Sequence, residues 1–171
     1  MDLKSYIRNI PDYPKPGVQF KDITTLLLDG KALRESVERL ANWAKDKEAQ
    51  IVVSPEARGF IFGTAVAYEL GIGFVPVRKP GKLPGETKQM DYQLEYGLDS
   101  LQIHLDGLQE GQKVILIDDL LATGGTMNST AKLVESLGAQ VVGVGFLIEL
   151  TFLNGRDKLR DYEVFSVMQY D

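Results

Sequence analysis

Residues 114–126 read VILIDDLLATGGT, and this stretch decides the fold. Its first four residues are apolar β-formers that predict a buried strand, and the small residues at its end run into a helical pattern. Asp118 and Asp119 lie where that strand would leave the sheet. The stretch therefore predicts a strand, a tight loop and the start of a helix, in that order.

The loop in this stretch suits a phosphate group. Gly124 and Gly125 can adopt backbone angles closed to other residues, which lets successive N–H groups converge on one point. A helix that begins near Thr126 would aim its free N–H groups and its positive dipole end at the same anion, and Thr123 adds a hydroxyl donor. The residues after the glycines do not fit the Walker pattern of nucleoside triphosphate sites.

The two aspartates need a different partner, because a carboxylate beside a phosphate would repel it. Sugar hydroxyls can donate hydrogen bonds to Asp118 and Asp119, and a Mg²⁺ ion that accompanies the phosphate is the other candidate. A phosphate next to vicinal hydroxyls describes a ribose 5-phosphate. The alternative is that the Asp pair only ends a strand and the glycines only turn the chain.

Composition narrows the class of protein. At 171 residues, 44% of them hydrophobic, the chain suits one domain with a substantial core. It has no apolar run of membrane-spanning length and no signal-peptide layout, so we expect a soluble cytoplasmic protein without a membrane partner. The lack of cysteine and the single histidine exclude a thiolate or histidine-rich metal site. A net charge of −5 argues against nucleic acid as a partner.

Strand and helix patterns alternate along the chain. The predicted strands cover 51–53, 74–77, 101–105, 114–117, 141–148 and 164–167, and the predicted helices cover 31–47, 60–70 and 127–137. The second of these helices is apolar nearly all round, so we expect it to be buried. This order predicts an α/β fold with a Rossmann-like, mostly parallel central sheet and helices on both faces. Ligands bind beyond the carboxyl ends of such strands. We therefore expect the segments that follow them to meet in one active site, namely 56–59, 78–82, 118–126 and 149–151.

Two segments lack a regular pattern. The prolines at 11, 14 and 16 argue against a regular element, and residues 17–22 read as an extended loop in which Phe20 either stacks on a planar heterocycle or fills the core. Residues 81–97 show no convincing buried pattern, which is typical of a lid loop. The cations at the strand ends form either an anion clamp or ordinary ion pairs and a solvated edge; they are Arg58, Arg78, Lys79 and Lys82.

Taken together, these segments resemble the adenine phosphoribosyltransferases, a family of type I phosphoribosyltransferases, along almost the whole chain. The motifs that carry the resemblance are PKPGVQFKDI (14–23), EARGF (56–60), RKPGKLP (78–84), LEYG (94–97), the 114–126 stretch, EL (149–150) and QY (169–170). The resemblance implies the type I phosphoribosyltransferase fold as a single domain over 1–171. Residues 1–30 would form a small N-terminal hood over the base site, and residues 81–97 a flexible lid loop.

The resemblance also implies an activity. The enzyme would transfer the 5-phosphoribosyl group of 5-phosphoribosyl pyrophosphate (PRPP) to adenine in purine salvage, giving AMP and pyrophosphate, with Mg²⁺ held mainly through PRPP. It would be a homodimer in which the residue matching Arg78 reaches the neighbouring subunit's site. One departure is Ser54-Pro55, where relatives more often carry Gly-Ile, and a proline restricts the backbone just before the pyrophosphate loop.

The resemblance also implies a binding or catalytic role for individual residues of these motifs. Adenine would be held by Val18, Phe20 and Lys21; pyrophosphate by Arg58, Arg78, Lys79 and Lys82; the ribose by Asp118 and Asp119; and the 5-phosphate by Ala122, Thr123, Gly124, Gly125 and Thr126. Glu95 and Arg58 are the implied catalytic positions. Glu95 matches the residue proposed as general acid/base, and a carboxylate there would handle adenine's ring proton or only anchor the lid.

Two other functions remain open from the sequence. One is a phosphoribosyltransferase for another purine base, such as hypoxanthine or guanine, because backbone donors near the base cannot be read from sequence. The other is a non-catalytic PRPP-sensing regulatory protein. The second function would need a DNA-binding module or a basic face, and the sequence has neither.

Overall fold

The computed structural model describes residues 1–94 and 97–171. The strands are β1 (Arg8–Pro11), β2 (Gln19–Asp22), β3 (Ile51–Pro55), β4 (Gly73–Val77), β5 (Thr87–Gln93), β6 (Leu98–His104), β7 (Lys113–Leu121), β8 (Gln140–Leu150) and β9 (Val164–Tyr170). The α-helices are α1 (Thr24–Leu28), α2 (Gly30–Ala44), α3 (Gly59–Leu70) and α4 (Gly125–Ser136), with 3₁₀ turns at Leu3–Tyr6, Lys45–Lys47, Thr151–Leu153 and Gly155–Leu159.

The central sheet has the strand order β4-β3-β7-β8-β9, and every neighbouring pair is parallel. Both faces of β7 are buried: Ile115 and Ile117 pack with α2 and α3, whereas Val114 and Leu116 pack with α4. A strand buried on both faces needs an apolar residue at every position, which explains the unbroken apolar run in the sequence. The predicted α/β sheet with helices on both faces is confirmed.

The strand β7 continues beyond the predicted boundary. It extends to Leu121, and Asp118 lies opposite Phe146 of β8 in the pairing register. The Asp pair is therefore part of the last stretch of the strand and does not lie beyond it. Sheet hydrogen bonding fixes the backbone that carries both carboxylates, and the tight loop begins only at Ala122.

The N-terminal segment contains an antiparallel hairpin of β1 and β2, which corrects the prediction of an irregular extended loop. Arg8 on β1 pairs with the buried carboxylate of Asp22 on β2, to which its Nε donates at 2.8 Å. Pro11 stands at the end of β1, and the other prolines lie in the connecting turn, where a missing N–H is tolerated. The prolines therefore correctly indicated the turn, but they led to a wrong prediction for the strands on either side of it.

Residues 81–97 are also more regular than predicted. Strand β5 pairs with β6 in an antiparallel register from Thr87 opposite His104 to Gln93 opposite Leu98. Met90 and Tyr92 on β5 pack against the core that α4 covers. The expectation of a segment without regular structure is thus wrong for 87–93. Glu95 lies outside the described residues, and the role of this segment as a lid stays a prediction.

None of the helices within residues 1–94 and 97–171 is both long enough and apolar enough to cross a lipid bilayer.

Candidate active site

A cavity of about 380 Å³ opens where β3 and β7 end. Its walls are the turn after β3, the end of β7, the loop that follows and one aromatic ring of β8; the lining residues are Glu56, Ala57, Arg58, Asp118 to Met127 and Phe146. The carboxyl ends of parallel strands place these segments at one edge of the sheet. Of the segments expected to meet there, residues 56–58 of the first and all of 118–126 line the cavity directly.

The loop from Ala122 to Gly124 is held by backbone contacts. Gly124 has φ +84°, a left-handed angle that favours glycine. A Cβ atom at Gly124 would overlap the carbonyl oxygen of Gly155, and a Cβ atom at Gly155 would overlap the carbonyl oxygen of Ala122. These two chain segments therefore touch backbone to backbone, which leaves the loop little freedom to shift.

Helix α4 begins at Gly125, directly after this loop. Within the described part of the chain, no side chain caps its N-terminus. The N–H groups of Gly125, Thr126 and Met127 thus lack intrahelical acceptors, and these three residues line the cavity together with Thr123. Free N–H groups together with the positive dipole end form an anion site, so the geometry fits the predicted phosphate position.

Asp118 and Asp119 lie side by side in the cavity wall. Asp118 accepts a hydrogen bond from the Asp119 N–H at 2.8 Å, and Asp119 is only 4% exposed. Burial, followed by the neighbouring Asp119 charge, raises the pKa of Asp118 well above its ordinary value. Burial likewise raises the pKa of Asp119, although Arg58 opposes that shift.

One oxygen of this pair lacks an aligned donor. The Arg58 Nε lies 3.0 Å from Oδ2 of Asp119, but among the described residues no group donates a well-directed hydrogen bond to that buried oxygen. A buried carboxylate oxygen in that state is costly, and a sugar hydroxyl that donates to it would relieve the cost. The arrangement therefore fits the predicted ribose contact.

Arg58 links the cavity to the N-terminal hairpin. Its guanidinium lies 5.4 Å from the centroid of the Phe20 ring, and the Phe20 ring meets Tyr13 edge to face at 5.1 Å. The hairpin therefore places an aromatic ring beside the cavity. The sequence left open whether Phe20 stacks on a ligand or fills the core. The ring is half-buried and lies against a cavity residue, so it does not fill the core.

The two other residues predicted to hold adenine have partners within the protein. The Val18 N–H donates to the Lys15 carbonyl, and the Val18 carbonyl accepts from the Tyr13 N–H, both at 3.2 Å. The Lys21 ammonium donates to Oδ1 of Asn9 at 2.9 Å. Neither Val18 nor Lys21 lines the 380 Å³ cavity, so Phe20 is the member of this set that the structure brings closest to it.

The remaining predicted pyrophosphate residues converge on Glu56, whose role the sequence did not indicate. Its carboxylate accepts from the Lys79 N–H at 2.7 Å and from the Lys82 ammonium at 2.5 Å, and the Arg78 Nε lies 3.3 Å away. The Lys79 ammonium pairs instead with the carboxylate of Asp99. Arg58 alone among the four predicted pyrophosphate cations lines the cavity, and the others lie at its rim.

The charge state of Glu56 follows from these contacts. Burial acts to raise its pKa, but the hydrogen bonds from Lys82 and from the Lys79 backbone, with the charges of Lys82 and Arg78, together lower it. Glu56 is therefore a carboxylate at neutral pH, and it holds the rim cations by charge.

The turn before Arg58 continues directly from the sheet. Pro55 ends β3 opposite Val77, and the Glu56 N–H donates to the Val77 carbonyl at 2.9 Å. The peptide bond between Glu56 and Ala57 is cis. Ser54-Pro55, the departure noted in the sequence, is thus accommodated as the end of a sheet strand.

The expectation that 149–151 would belong to the site is wrong for Glu149. Its carboxylate accepts two hydrogen bonds from Arg156, each at 2.7 Å, and does not line the cavity. No local pattern in the sequence indicates this pairing, because Arg156 follows in a short turn after β8. Gly155, which packs on the loop from Ala122 to Gly124, was missed as well; the dipeptide Asn154-Gly155 was the available turn signal.

Known families and curated proteins match this chain along its length. A family model described as "Phosphoribosyl transferase domain" matches residues 24–170. An adenine phosphoribosyltransferase from Clostridium perfringens is 60% identical over 171 residues, which is 100% of this chain and 99% of the relative. One from Clostridium botulinum is 61% identical with the same coverage.

Solved structures give the same result. The crystal structure of adenine phosphoribosyltransferase from Thermoanaerobacter pseudethanolicus has a TM-score of 0.96 and 56% identity, covering 99% of this chain and 98% of its own. The enzyme from Saccharomyces cerevisiae, complexed with adenine and an imino-altritol bisphosphate, has a TM-score of 0.93 and 36% identity, with 97% and 96% coverage.

Proposed function

The chain belongs to the adenine phosphoribosyltransferase family, and from this premise we propose how its residues carry out the reaction. It transfers the 5-phosphoribosyl group of PRPP to adenine and releases AMP and pyrophosphate. One observation carries the assignment of residues: the N-terminus of α4, which no side chain of the described residues caps, lines the same 380 Å³ cavity as the Asp pair and Arg58. Those groups match the 5-phosphate, the ribose and the leaving group of PRPP.

The anchor for PRPP is the 5-phosphate loop, defined as residues 122–126. The N–H groups of α4 and the hydroxyls of Thr123 and Thr126 hold the phosphate. Asp118 and Asp119 accept hydrogen bonds from the ribose hydroxyls, which fixes the sugar relative to the phosphate. With both ends of the ribose phosphate held, the anomeric carbon has a defined position for attack by the base.

The leaving group needs positive charge. Displacement of pyrophosphate builds positive charge on the sugar and negative charge on the departing oxygen, so cations near that oxygen lower the barrier. Arg58 already lies in the cavity wall. We assign Arg78, Lys79 and Lys82 to the same role, which requires them to exchange Glu56 and Asp99 for pyrophosphate oxygens as PRPP binds.

Adenine is assigned to the hairpin side of the cavity. Phe20 offers an aromatic face or edge beside Arg58, which suits a planar purine. Val18 and Lys21 lie on the same hairpin, and we propose that their backbone groups read the base after the turn adjusts to it. For the displacement, the base nitrogen must approach the anomeric carbon from the side opposite the departing pyrophosphate.

Glu95 is proposed as the general acid/base. Adenine loses a ring proton when it forms the glycosidic bond, and a carboxylate within hydrogen-bond reach would accept it. The support for this role is the LEYG motif of residues 94–97 and its likeness to the family pattern. The same segment, 81–97, would exclude water from the reacting sugar when it closes as a lid.

Mg²⁺ is the proposed cofactor. No group of three or more His, Asp or Glu side chains in the described ranges is arranged to hold a metal. The cavity does supply carboxylate oxygens, and Oδ2 of Asp119 lacks an aligned donor there among those residues. This set fits Mg²⁺, which binds through one or two carboxylates, water and substrate phosphates. Bound through PRPP, the ion would offset the charge of the pyrophosphate.

A homodimer is proposed from an apolar groove of about 610 Å³ between α2 and α3. Tyr68 in its wall is 87% exposed, and Ile61 beside it is also exposed, contrary to the expectation of a helix buried all round. A second copy would cover these side chains. Phe60 lines the groove and lies 5.9 Å from the Arg78 guanidinium, so the groove borders the pyrophosphate residues.

A cytoplasmic location is also proposed. PRPP and AMP are highly charged and do not cross a lipid bilayer unaided, so an enzyme that salvages purines with PRPP works where PRPP is made.

The test of the function mixes the protein with PRPP and Mg²⁺ and, in separate reactions, with adenine, hypoxanthine or guanine. Nucleotide formation is followed by chromatography. AMP from adenine, without product from the other bases, is the expected result. Reaction with another base only would overturn the base assignment, and no reaction despite PRPP binding would favour a sensing protein.

A further inference from the structure

A polar cluster around one buried carboxylate lies at the end of β8, and none of the roles above uses it. At its centre is Glu149, which is 4% exposed. Its carboxylate accepts from Nε and Nη2 of Arg156, each at 2.7 Å, from the Ser166 hydroxyl at 2.6 Å and from the Gln169 amide at 3.1 Å. Arg156 meets the carboxylate with two donors in the fork geometry, which fixes orientation as well as distance.

Arg156 links a short turn to the two strands on either side of it in the sequence. It lies in the 3₁₀ turn Gly155–Leu159, and besides Glu149 on β8 it donates from Nη1 to the Val164 carbonyl on β9 at 3.1 Å. The turn is thereby attached to the two strands through one side chain. Because Glu149 is buried and paired, displacement of Arg156 would leave a carboxylate without its counter-charge.

The residue before Arg156 touches the 5-phosphate loop. Gly155 packs against Ala122 and Gly124 so closely that a Cβ atom on either glycine would overlap backbone atoms of the other segment. Backbone atoms cannot rotate away as the end of a side chain can. The position of Gly155 therefore sets the position of the loop.

We propose that Arg156 is a positioning residue for the 5-phosphate loop: with Glu149 it holds Gly155 against Ala122 and Gly124, and so keeps the loop N–H groups directed at a phosphate monoester. Arg156 acts through the backbone and does not touch the substrate. The inference rests on the proposed function, since it takes residues 122–126 to be the phosphate site.

The same turn brings a cation towards the loop. The ammonium of Lys158 lies 3.8 Å from the position that a Cβ atom of Gly125 would occupy, and both residues line one cavity next to Thr123 and Thr126. A turn held by Arg156 therefore adds positive charge near the start of α4. That charge favours a dianionic phosphate over a neutral ligand.

The test separates the two ends of the PRPP site. Calorimetry of R156Q is carried out with ribose 5-phosphate and, separately, with pyrophosphate and Mg²⁺. We expect the affinity for ribose 5-phosphate to fall about ten-fold or more, because small misplacements of binding groups are costly, while pyrophosphate affinity changes by less than about two-fold. In turnover, the KM for PRPP rises more than kcat falls.

The matched control is R160Q. Arg160 follows the same turn but pairs with Asp157 at 3.0 Å on an exposed surface. This variant should bind both ligands like the wild type. If R156Q weakens both ligands equally, or neither, the positioning role is overturned.

A second variant covers a failure of R156Q to fold, which circular dichroism would reveal. R156K keeps a charge beside Glu149 but lacks the fork, so it should fold and show a smaller, still selective loss of ribose 5-phosphate affinity. Wild-type affinity in R156K would overturn the inference. A wild-type protein that binds neither ligand would refute the proposed function and this inference with it, whereas normal wild-type binding with an unaltered R156K refutes the positioning role alone.

Discussion

The two ends of the proposed PRPP site are built in different ways. The 5-phosphate loop is fixed by backbone contacts between Gly124 and Gly155 and by the helix that follows it. The pyrophosphate rim, defined as Arg78, Lys79 and Lys82, consists of long side chains already paired with Glu56 and Asp99. The 5-phosphate loop can therefore bind its ligand without rearrangement, whereas the cations of the pyrophosphate rim must first leave Glu56 and Asp99.

The exchange at the rim is energetically accessible. The side chains of Lys79 and Lys82 are more than a third exposed, so water screens their charges even though the partner carboxylates of Asp99 and Glu56 are less exposed. A pyrophosphate with bound Mg²⁺ offers the cations a replacement anion. We therefore expect PRPP to bind first at the fixed 5-phosphate loop and then to form ion pairs with the rim cations. The following variants test this order of events.

The largest effect is expected at Glu95, the proposed general acid/base. Replacement of Glu95 by Gln removes the proton acceptor, so kcat should fall by about 10²- to 10⁴-fold with little change in PRPP affinity. Steady-state kinetics and calorimetry measure the two quantities. If turnover stays near the wild-type value, Glu95 does not accept the ring proton and serves only to anchor the lid.

The fixed end is tested by Gly124→Ala. Alanine is disfavoured at the left-handed backbone angle of Gly124, and its methyl group would overlap the carbonyl oxygen of Gly155. The loop must therefore move. We expect PRPP affinity to fall by about 100-fold, measured by calorimetry. The control is Gly111→Ala, which has a similar angle, φ +76°, but open space around its Cβ position. If both variants bind PRPP normally, the loop is not a rigid anchor.

Asp118→Asn combined with Asp119→Asn tests the ribose contacts beside the fixed loop. Replacement of the two carboxyl groups should weaken PRPP binding by about 10-fold or more while the fold persists, because each Asn keeps only one acceptor oxygen and a hydrogen bond is worth about 0.5 to 1.5 kcal/mol. Calorimetry with PRPP measures the loss. Unchanged affinity would refute the ribose assignment.

The same double variant has a readout in stability. Both aspartates have a raised pKa in the folded protein, so the folded state binds protons more tightly than the unfolded state. Their contribution to the free energy of unfolding is present at low pH and is lost as the pH rises from about their ordinary value of 3.8 towards the raised folded values. Denaturant titrations against pH should show this loss as a fall in the difference between the unfolding free energies of the wild type and the double variant.

The fixed end is also the part that the sequence predicted best. Strand β7, the loop and the start of α4 are adjacent in the chain, so local pattern and glycine chemistry were enough to identify them. Strand β5 was missed because its apolar residues, Met90 and Tyr92, alternate with polar ones and find their packing only against α4. Long-range pairing of this kind leaves a weak local signal.

Side-chain pairings account for the remaining differences. Asp118 and Asp119 were expected in the site because they stand near a strand end, and both line the cavity. The same reasoning was wrong for Glu149, which pairs with Arg156 of a later turn. Nothing local distinguishes a carboxylate that awaits a ligand from one that is already paired. For the same reason, the sequence indicated the rim cations but could not indicate that Glu56 holds them.

The smallest expected effect comes from Glu56→Gln, and it decides how the adjustable end works. Glutamine retains an oxygen for the Lys79 N–H but loses the charge that holds Lys82 and Arg78, so these cations become available to pyrophosphate. We expect the KM for PRPP to fall about two- to five-fold, because the exposed ends of these cations are screened by water and each pair is of modest strength, with ribose 5-phosphate affinity unchanged. Glu163→Gln, which breaks the exposed pair with Lys47, is the matched control and should alter neither value. A higher KM in Glu56→Gln would instead mean that Glu56 positions the cations for PRPP, and the rim would then be as preformed as the 5-phosphate loop.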